Sequence, residues 1–169
     1  MKVIYEESVG TDTSTIGYPG VSTCTTVTCS VANGTLVGAH FSCGTPPDKF
    51  RRMLASMKTA FNGGAVDAIY VIGAFDYWGN PSGGTDYKWP QMFRSFRTVL
   101  GTTAPVYCFN SAKAFKDSTF QLTRAAGQFP SVEIASQASC SIPPGSGSAG
   151  PITFGPTRVL GKNEFAVEL

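Results

Sequence analysis

The chain has 169 residues, a formal net charge of +2 and only 14% charged residues. It contains no basic run and no apolar stretch of membrane-span length, so its composition argues against nucleic acid and against a membrane as binding partners. Abundant Gly, Ser and Thr favour strands and turns instead, and no break in composition divides the chain. We therefore predict a single domain over residues 1–169.

The first part of the chain is predicted to contain a β-hairpin. Residues 2–7 have the pattern of a short strand, and the Thr-, Ser-, Gly- and Pro-rich residues 11–20 have that of a loop. Residues 21–30 and 35–42 are rich in Val and Thr and flank the Asn-Gly pair at positions 33–34, a strong signal for a tight turn. The hairpin prediction rests on this combination.

A helix is predicted to follow the hairpin. Thr45 is a suitable cap, Pro47 fits the first turn, and Asp48 suits the positive end of the helix dipole. Apolar side chains then recur at helical spacing until Asn62-Gly63 ends the helix: Phe50, Met53, Leu54, Met57 and Phe61. Four basic side chains lie off this stripe and are predicted to form a solvated face: Lys49, Arg51, Arg52 and Lys58.

The second half of the chain alternates strands and loops with one more helix. Residues 65–75 form an apolar run typical of a central strand buried on both faces, residues 76–87 a turn-rich loop, and residues 88–100 a second amphipathic helix. Residues 111–127 are ambiguous, with room for one short helix, and residues 136–150 have the composition of a flexible loop. Further short strands are predicted at residues 104–109, 131–135, 151–154, 157–160 and 164–169. These elements predict an α+β fold with mixed or mainly antiparallel, sandwich-like sheets flanked by two to three helices.

Cys24 and His40 can carry chemistry only if they meet. A cysteine attacks as its thiolate and needs a group that accepts its proton, and His40 is the only histidine of the chain. A two-residue turn at positions 33–34 would set Cys24 opposite Cys43 and His40 opposite Val27. The side chains of Cys24 and His40 would then lie on opposite faces of the hairpin.

A bulged connection changes this outcome. With three connecting residues and Gly34 in a left-handed bulge, His40 faces Thr26 or Thr28. Opposite Thr26, His40 lies on the same side as Cys24 and diagonal to it. A catalytic Cys24–His40 pair therefore requires either this bulge or a Cys24 that lies outside the strand ladder.

Three non-catalytic interpretations of these residues stay open. His40 can be a structural side chain of its strand, and Cys24 can form a cross-strand disulfide with Cys43. A zinc site can be drawn from Cys24, Cys29, His40 and Cys43, although their spacing is not that of a standard zinc motif. Five cysteines leave at least one thiol without a disulfide partner, which favours reducing surroundings, and Cys108 is predicted to be a buried, inert thiol.

The residues around Cys24 and His40 resemble a known signature. The run Val21–Val27 (VSTCTTV), followed by Gly38-Ala39-His40, is similar to the cysteine-histidine signature of bacterial glutamine deamidases. That superfamily includes the catalytic domain of cytotoxic necrotizing factor, Burkholderia lethal factor and the chemoreceptor deamidase CheD. Its members present the nucleophile on a Ser-Gly-Cys-like turn and carry the histidine on an adjoining strand. The resemblance covers only this stretch, and it implies a CheD-like or necrotizing-factor-like deamidase fold.

The resemblance implies roles for the residues of this stretch. Cys24 would be the nucleophile, and His40 would act as its base and then as an acid. Backbone N–H groups of Ser22 and Thr23 would hold the oxyanion, with Thr23 standing where the superfamily usually has Gly.

A third group should orient the imidazole of His40, as in other catalytic triads. Members of the superfamily use a Thr or a backbone carbonyl for this purpose, and Thr15 or a carbonyl of residues 16–18 is the candidate here. Substrate choice would lie in loops 11–20, 76–87 and 136–150. The candidate contacts in these loops are Tyr18, Tyr77 and Trp78.

By this resemblance the chain would hydrolyse a glutamine side-chain amide of a partner protein to glutamate, without a metal or an organic cofactor. It would be a monomeric bacterial toxin or effector, secreted or injected into a host cell and acting in the host cytosol on a protein such as a GTPase or a translation factor. One alternative is a CheD-like enzyme of the bacterial cytoplasm that acts on chemoreceptors. Another is a non-catalytic binding module with structural cysteines, and a transglutaminase outcome also stays open.

Overall fold

The computed structural model describes residues 1–78, 96–144 and 151–168. The strands, in chain order, are β1 Lys2–Val3, β2 Ser8–Asp12, β3 Thr15–Val21, β4 Thr25–Val31, β5 Leu36–Phe41, β6 Val66–Gly73, β7 Val106–Asn110, β8 Ser118–Thr123, β9 Ser131–Ser136, β10 Arg158–Leu160 and β11 Ala166–Glu168. The helices are α1 Pro47–Ala60 and α2 Phe75–Trp78, and residues 96–100 are also helical. Short 3-10 turns occur at Ser111–Lys113, Gln137–Ser139 and Lys162–Glu164.

These strands form two mixed sheets, as the predicted α+β class requires. The five-stranded sheet has the order β1-β3-β8-β9-β10, and the six-stranded sheet has the order β11-β7-β6-β4-β5-β2. The β1–β3 and β6–β7 pairs are parallel and the other pairs are antiparallel. The predicted central strand at residues 65–75 is confirmed, because β6 lies between β4 and β7 and is buried along most of its length.

Alternate residues of the six-stranded sheet belong to two different apolar cores. Ala39 and Phe41 of β5 pack in the core that contains α1. Leu36 of β5 packs instead with Tyr18 of the five-stranded sheet. His40, between Ala39 and Phe41, therefore points toward the five-stranded sheet.

Helix α1 confirms the predicted stripe, because Phe50, Met53, Leu54 and Met57 are buried. Its predicted cap is wrong. The residue at the cap position is Pro46, which makes no side-chain cap bond, whereas the Thr45 hydroxyl donates to Glu7 Oε1 at 3.4 Å. Of the second predicted helix, residues 96–100 are helical and residues 88–95 lie outside the described ranges.

The predicted loop at residues 11–20 is wrong, because most of these residues form β2 and β3. Asp12 Oδ1 accepts the N–H groups of Ser14 at 2.7 Å and Thr15 at 2.9 Å, so a very short turn suffices to join the two strands. Gly17 lies within β3, where a Cβ would come within 2.8 Å of Ile152 Cδ1. Its glycine therefore permits close packing rather than a loop.

Two other local predictions are corrected. The first strand is limited to Lys2–Val3 rather than residues 2–7, and the following residues leave the ladder to reach β2. The ambiguous residues 111–127 contain β8, which pairs with β3 and β9 in the centre of the five-stranded sheet. Long-range pairing, rather than a local pattern, determines both results.

Gly38→Ala is expected to destabilise the protein by about 1–3 kcal/mol, the usual cost of overpacking a well-packed core. A Cβ on Gly38 would lie 2.0 Å from the Tyr18 hydroxyl oxygen and 2.8 Å from Ile4 Cδ1, and both side chains are buried. Urea denaturation should give a lower midpoint for this variant. Gly44→Ala is the matched control, because its Cβ would meet no atom closer than 3.8 Å. An equal shift in both variants would contradict the prediction.

Candidate active site

The hairpin between β4 and β5 has the bulged register that a catalytic pair requires. Thr26 pairs with His40, and Ser30 pairs with Leu36. Gly34 has φ 93° and donates its N–H to Val31 O at 2.9 Å. The two-residue turn is thereby excluded, and with it the arrangement that turns Cys24 and His40 to opposite faces.

Cys24 lies outside the ladder, where the chain crosses from one sheet to the other. It follows β3 of the five-stranded sheet and comes directly before β4 of the six-stranded sheet. Its carbonyl oxygen accepts the N–H of Ala74 at 3.0 Å, which ties this corner to the end of β6. Both geometric conditions for a Cys24–His40 pair are therefore met.

The imidazole of His40 is fully buried and oriented by a backbone carbonyl. Its Nδ1 lies 3.1 Å from the carbonyl oxygen of Ile4, and its ring meets the Tyr18 ring edge-on with centroids 5.9 Å apart. Because a carbonyl only accepts, Nδ1 carries the proton of the neutral ring and Nε2 carries the lone pair. Nε2 has no hydrogen-bond partner among the described residues.

Glu6 completes a three-residue cluster with this pair. A carboxylate oxygen of Glu6, Sγ of Cys24 and one ring nitrogen of His40 all lie within 4.8 Å of one another. The Cys24 thiol donates to Glu6 Oε1 at 3.1 Å. Sequence reasoning missed Glu6, whose only signal was a pair of acids that ends an apolar stretch.

The four residues Ile4–Glu7, here called the N-terminal strap, run across the Cys24–His40 pair. Each residue of the strap has its own contact: the Ile4 carbonyl with His40 Nδ1, the Tyr5 hydroxyl with the Pro143 carbonyl, the Glu6 carboxylate with Cys24 Sγ, and the Glu7 carboxylate with Lys49 Nζ. The Glu7 N–H also donates to the carbonyl oxygen of His40 at 2.6 Å. The strap thus holds both the orienting carbonyl and the third side chain of the cluster in place.

The electrostatics of the site favour a neutral resting pair. Burial, followed by the hydrogen bond to Glu6 and the charge of Glu6, raises the pKa of the Cys24 thiol to about 12, and a hydrogen bond from Thr23 opposes this rise. Burial lowers the pKa of His40, against the opposing effects of the Ile4 carbonyl and Glu6. A preformed thiolate–imidazolium pair would need a lowered thiol pKa, and the pKa of Cys24 is raised instead. A preformed thiolate–imidazolium pair is therefore not the ground state.

A cavity of about 400 Å³ opens beside the cluster. It is lined by Tyr5, Glu6, Pro19, Gly20, Gln137 and Ile142. Glu6 belongs to both the cavity and the cluster, whereas Cys24 is only 1% exposed. Two residues of the predicted loop 136–150, Gln137 and Ile142, thus line the cavity, and residues 145–150 lie outside the described ranges.

The predicted orienting group is wrong. The hydroxyl of Thr15 lies 3.2 Å from that of Thr123 in the five-stranded sheet. The Gly17 carbonyl, within the alternative range 16–18, accepts the N–H of Ile4. The Ile4 carbonyl takes the orienting role instead, and a backbone carbonyl of this kind leaves no side-chain signal in the sequence.

The structure changes the roles predicted for Ser22 and Tyr18 but leaves Thr23 beside the Cys24 thiol. The Ser22 N–H donates to Gly20 O at 3.1 Å, so it is not available to an oxyanion in this conformation. Thr23 does lie at the thiol, through its side chain. Tyr18 is not a substrate contact, because it is buried and its hydroxyl lies 2.6 Å from that of Thr28.

The predicted aromatic contacts after β6 stay predictions. Helix α2 begins directly after Ala74, whose N–H bonds the Cys24 carbonyl, so α2 starts at the Cys24 end of the sheet. Tyr77 on this helix is 46% exposed. The side chain of Trp78 and residues 79–87 lie outside what the structure describes.

The structure contains neither the Cys24–Cys43 disulfide nor the four-residue zinc site predicted as non-catalytic alternatives. Cys24 and Cys43 are both free thiols, so the predicted alternative of a disulfide is wrong. Cys29 faces the core that contains α1, whereas Cys24 belongs to the core between the sheets. The four-residue zinc site that includes Cys29 is therefore wrong as well. Cys108 is buried, as predicted.

Comparison of the chain with protein-family models, with curated proteins and with solved structures gave no match. Within residues 1–78, 96–144 and 151–168, no helix has the length and apolar character needed to cross a membrane. The functional interpretation thus depends on the geometry of the cluster and on the short resemblance around Cys24 and His40.

His40 should make folding stability depend on pH below about pH 7. Burial lowers its pKa in the folded state, so below the ordinary value near 6.5 the unfolded chain binds a proton that the folded chain does not. The free energy of unfolding should fall with decreasing pH by up to about 1.4 kcal/mol per pH unit, and it should level off above the unfolded pKa. Urea midpoints across this window should show the slope, and His40→Gln should remove it. A slope that persists in His40→Gln would contradict the assignment.

Proposed function

We propose that this chain is a protein-glutamine deamidase that uses Cys24 as nucleophile and His40 as base and acid, with a fold related to the necrotizing-factor and CheD enzymes. The observation that carries the proposal is the state of His40. Its Nδ1 is held by the Ile4 carbonyl, and its Nε2 is buried without a partner among the described residues. One ring nitrogen of His40 lies within 4.8 Å of Cys24 Sγ. Such a nitrogen is suited to take a thiol proton.

The resting hydrogen bond between Cys24 and Glu6 suggests how a carboxamide would start the reaction. A glutamine side chain that enters the cavity beside Glu6 brings an NH₂ group, which is a donor. This group would replace the thiol as the donor to the Glu6 carboxylate. The thiol would then be free to turn toward His40.

The chemical steps follow from this exchange. The thiol proton passes to His40 Nε2 while sulfur attacks the carboxamide carbon, and the carbonyl oxygen becomes an oxyanion. His40 then protonates the departing nitrogen, so that ammonia leaves and a thioester remains. Water that gives its proton to His40 hydrolyses the thioester to glutamate and regenerates the thiol. A lysine amine in place of water would give a cross-linked product instead.

The oxyanion would be held at the turn that carries Cys24. Each well-aimed N–H donor in such a site contributes about 3 kcal/mol to the stability of the transition state. Because the Ser22 N–H is bonded to Gly20, the backbone of Thr23 and Cys24 is the better candidate. The hydrogen bond from Thr23 lowers the pKa of the Cys24 thiol, which favours the developing thiolate.

The proposal includes a protein substrate. By the resemblance, the chain is a monomeric toxin or effector that reaches a host cytosol and modifies a protein such as a GTPase or a translation factor, and it needs no cofactor. CheD-like action on a chemoreceptor in the bacterial cytoplasm is the related alternative. A non-catalytic binding module is the candidate from another class, and the buried Cys24 with its raised pKa is the observation in its favour.

A substrate screen tests the proposal. Candidate proteins incubated with the wild-type chain should gain about one dalton at a glutamine, because an NH₂ group is replaced by OH. Cys24→Ser should abolish the gain, and Cys108→Ala should retain it, since Cys108 packs in the core that contains α1 and Cys24 in the core between the sheets. A mass gain that persists in Cys24→Ser, or no gain on any protein of a host lysate or on chemoreceptors, would refute the deamidase.

A further inference from the structure

We propose that Glu6, Cys24 and His40 form a binding site for a zinc ion, which holds the thiol in an inactive form. Thiolate, imidazole and carboxylate are the three kinds of protein ligand that zinc prefers. Their donor atoms already converge within 4.8 Å. The zinc site predicted as an alternative from the sequence does not include Glu6, which lies 18 residues before Cys24.

The distances suit a tetrahedral ion after a small adjustment. Zinc–sulfur bonds of about 2.3 Å and zinc–nitrogen or zinc–oxygen bonds of about 2.0 Å set neighbouring ligands roughly 3.3–3.6 Å apart. Cys24 Sγ and Glu6 Oε1 are 3.1 Å apart, and no pair of the three atoms exceeds 4.8 Å. Glu6 is exposed and can move to make up the difference.

The state of His40 points to a metal independently of the cluster. Its side chain is fully buried, and Nε2 has no hydrogen-bond partner in the described part of the chain. Its Nδ1 is hydrogen-bonded to the Ile4 carbonyl, which is the second-shell arrangement that fixes the tautomer and orientation of a metal-bound histidine. An ion on Nε2 would satisfy the one ring nitrogen that the fold leaves unsatisfied.

The surroundings of the cluster favour a divalent ion that has three protein ligands and one coordination position open to water. A thiolate and a carboxylate together neutralise the two charges of the ion, which reduces the cost of holding it at a buried site. Glu6 also lines the cavity of about 400 Å³, where a water molecule can supply the fourth ligand. Three protein ligands and a water are a common zinc coordination.

Binding would exchange the thiol proton for the ion. One zinc–sulfur bond forms, the S–H bond breaks, and the proton leaves to solvent. The bound sulfur and the Nε2 lone pair are then both occupied, so neither the attack nor the proton transfer of the proposed reaction can begin. The inhibition rests on the proposed function, whereas the metal site itself does not.

Cobalt(II) is the probe that tests the site, because it replaces zinc in such sites and a thiolate–cobalt bond gives a charge-transfer absorption. The wild-type chain should bind one equivalent with this absorption, and zinc should displace it. Cys24→Ser should abolish the absorption, and Cys108→Ala should leave it unchanged. Glu6→Gln should weaken binding by roughly 10-fold or more, because the loss of even an outer-shell partner has about that effect. Circular dichroism of each variant checks that the chain is folded.

The contrary outcomes are distinct. No charge-transfer absorption in the wild-type chain, or an absorption that survives Cys24→Ser, would overturn the metal site. Affinities that are unchanged in both Glu6→Gln and His40→Gln would also overturn it, because the ion would then be bound by a thiol alone. Cobalt binding without any deamidation in the substrate screen would refute the proposed function and leave the metal site standing, and deamidation without cobalt binding would do the reverse.

Discussion

His40→Gln should lower the rate of glutamine deamidation, and the rate of Cys24 alkylation by iodoacetamide at neutral pH, by about 10²- to 10⁴-fold, the usual contribution of a general base. A Gln side chain keeps an N–H group that can donate to the Ile4 carbonyl, as His40 Nδ1 does. It has no lone pair on nitrogen to take the proton of a thiol whose pKa is about 12. Peptide mapping by mass spectrometry gives the alkylation rate at Cys24 without any knowledge of the substrate.

Thr26→Val is the matched control for this prediction. Thr26 lies opposite His40 in the β4–β5 ladder, is buried, and donates to the Ile72 carbonyl at 2.9 Å. The control therefore removes one buried hydrogen bond from the same part of the sheet without removing a base. An equal fall in both variants would show that damage to the sheet, rather than loss of the base, slows the thiol.

The pH profile gives a second readout of the same role. The alkylation rate of the wild-type chain should rise with pH as His40 loses its proton, at a pH below the ordinary histidine value, since burial lowers the pKa of His40. His40→Gln should lack this step. A structural His40 would not produce it, so a profile shared by the two proteins would contradict the role of a base.

Local sequence patterns predicted the parts of the fold that local physics determines. The apolar stripe of α1, the Asn-Gly hairpin and the buried strand β6 depend on periodicity and turn chemistry within short windows. The need for either a bulge at Gly34 or a Cys24 outside the ladder was also deducible, because side chains alternate along a strand and a two-residue turn would set Cys24 and His40 on opposite faces. The register itself needed the structure.

The parts of the site that the sequence did not predict depend on pairing between distant segments. The strap reaches His40 because β1 pairs with β3 and β2 pairs with β5, and neither pairing has a local signature. The orienting group is the carbonyl of Ile4, which any residue would supply. The pKa of the Cys24 thiol is raised by burial and by Glu6, so no pattern in the sequence could predict that rise.

Glu6→Gln should make Cys24 more reactive and should change which reagent it prefers. The hydrogen bond and the charge of Glu6 both raise the pKa of the Cys24 thiol, after burial. Removing the charge should lower this pKa and speed alkylation by iodoacetamide by about 10-fold, the effect of one pKa unit on the thiolate fraction. The measurement is the rate of modification at Cys24, with a chelator present so that metal binding does not interfere.

The same variant tests whether Glu6 distinguishes the substrate from the product. Iodoacetamide carries a carboxamide, as glutamine does, whereas iodoacetate carries a carboxylate, as the product glutamate does. The Glu6 carboxylate accepts a hydrogen bond from an amide and repels an anion, so the wild-type chain should prefer iodoacetamide strongly, and Glu6→Gln should reduce this preference by about 10-fold.

Glu133→Gln is the control for charge alone, because it removes the same charge from β9, where the Glu133 carboxylate bonds the Gln121 amide at 2.6 Å. It should retain the wild-type preference, since Glu133 lies in the five-stranded sheet beside Gln121 and is not part of the cluster of Glu6, Cys24 and His40. If Glu6→Gln and Glu133→Gln prefer iodoacetamide equally, Glu6 does not select the amide, and product repulsion is not built into the site. If only Glu6→Gln loses the preference, the carboxylate that holds the thiol at rest also favours release of the glutamate that the thiol would generate.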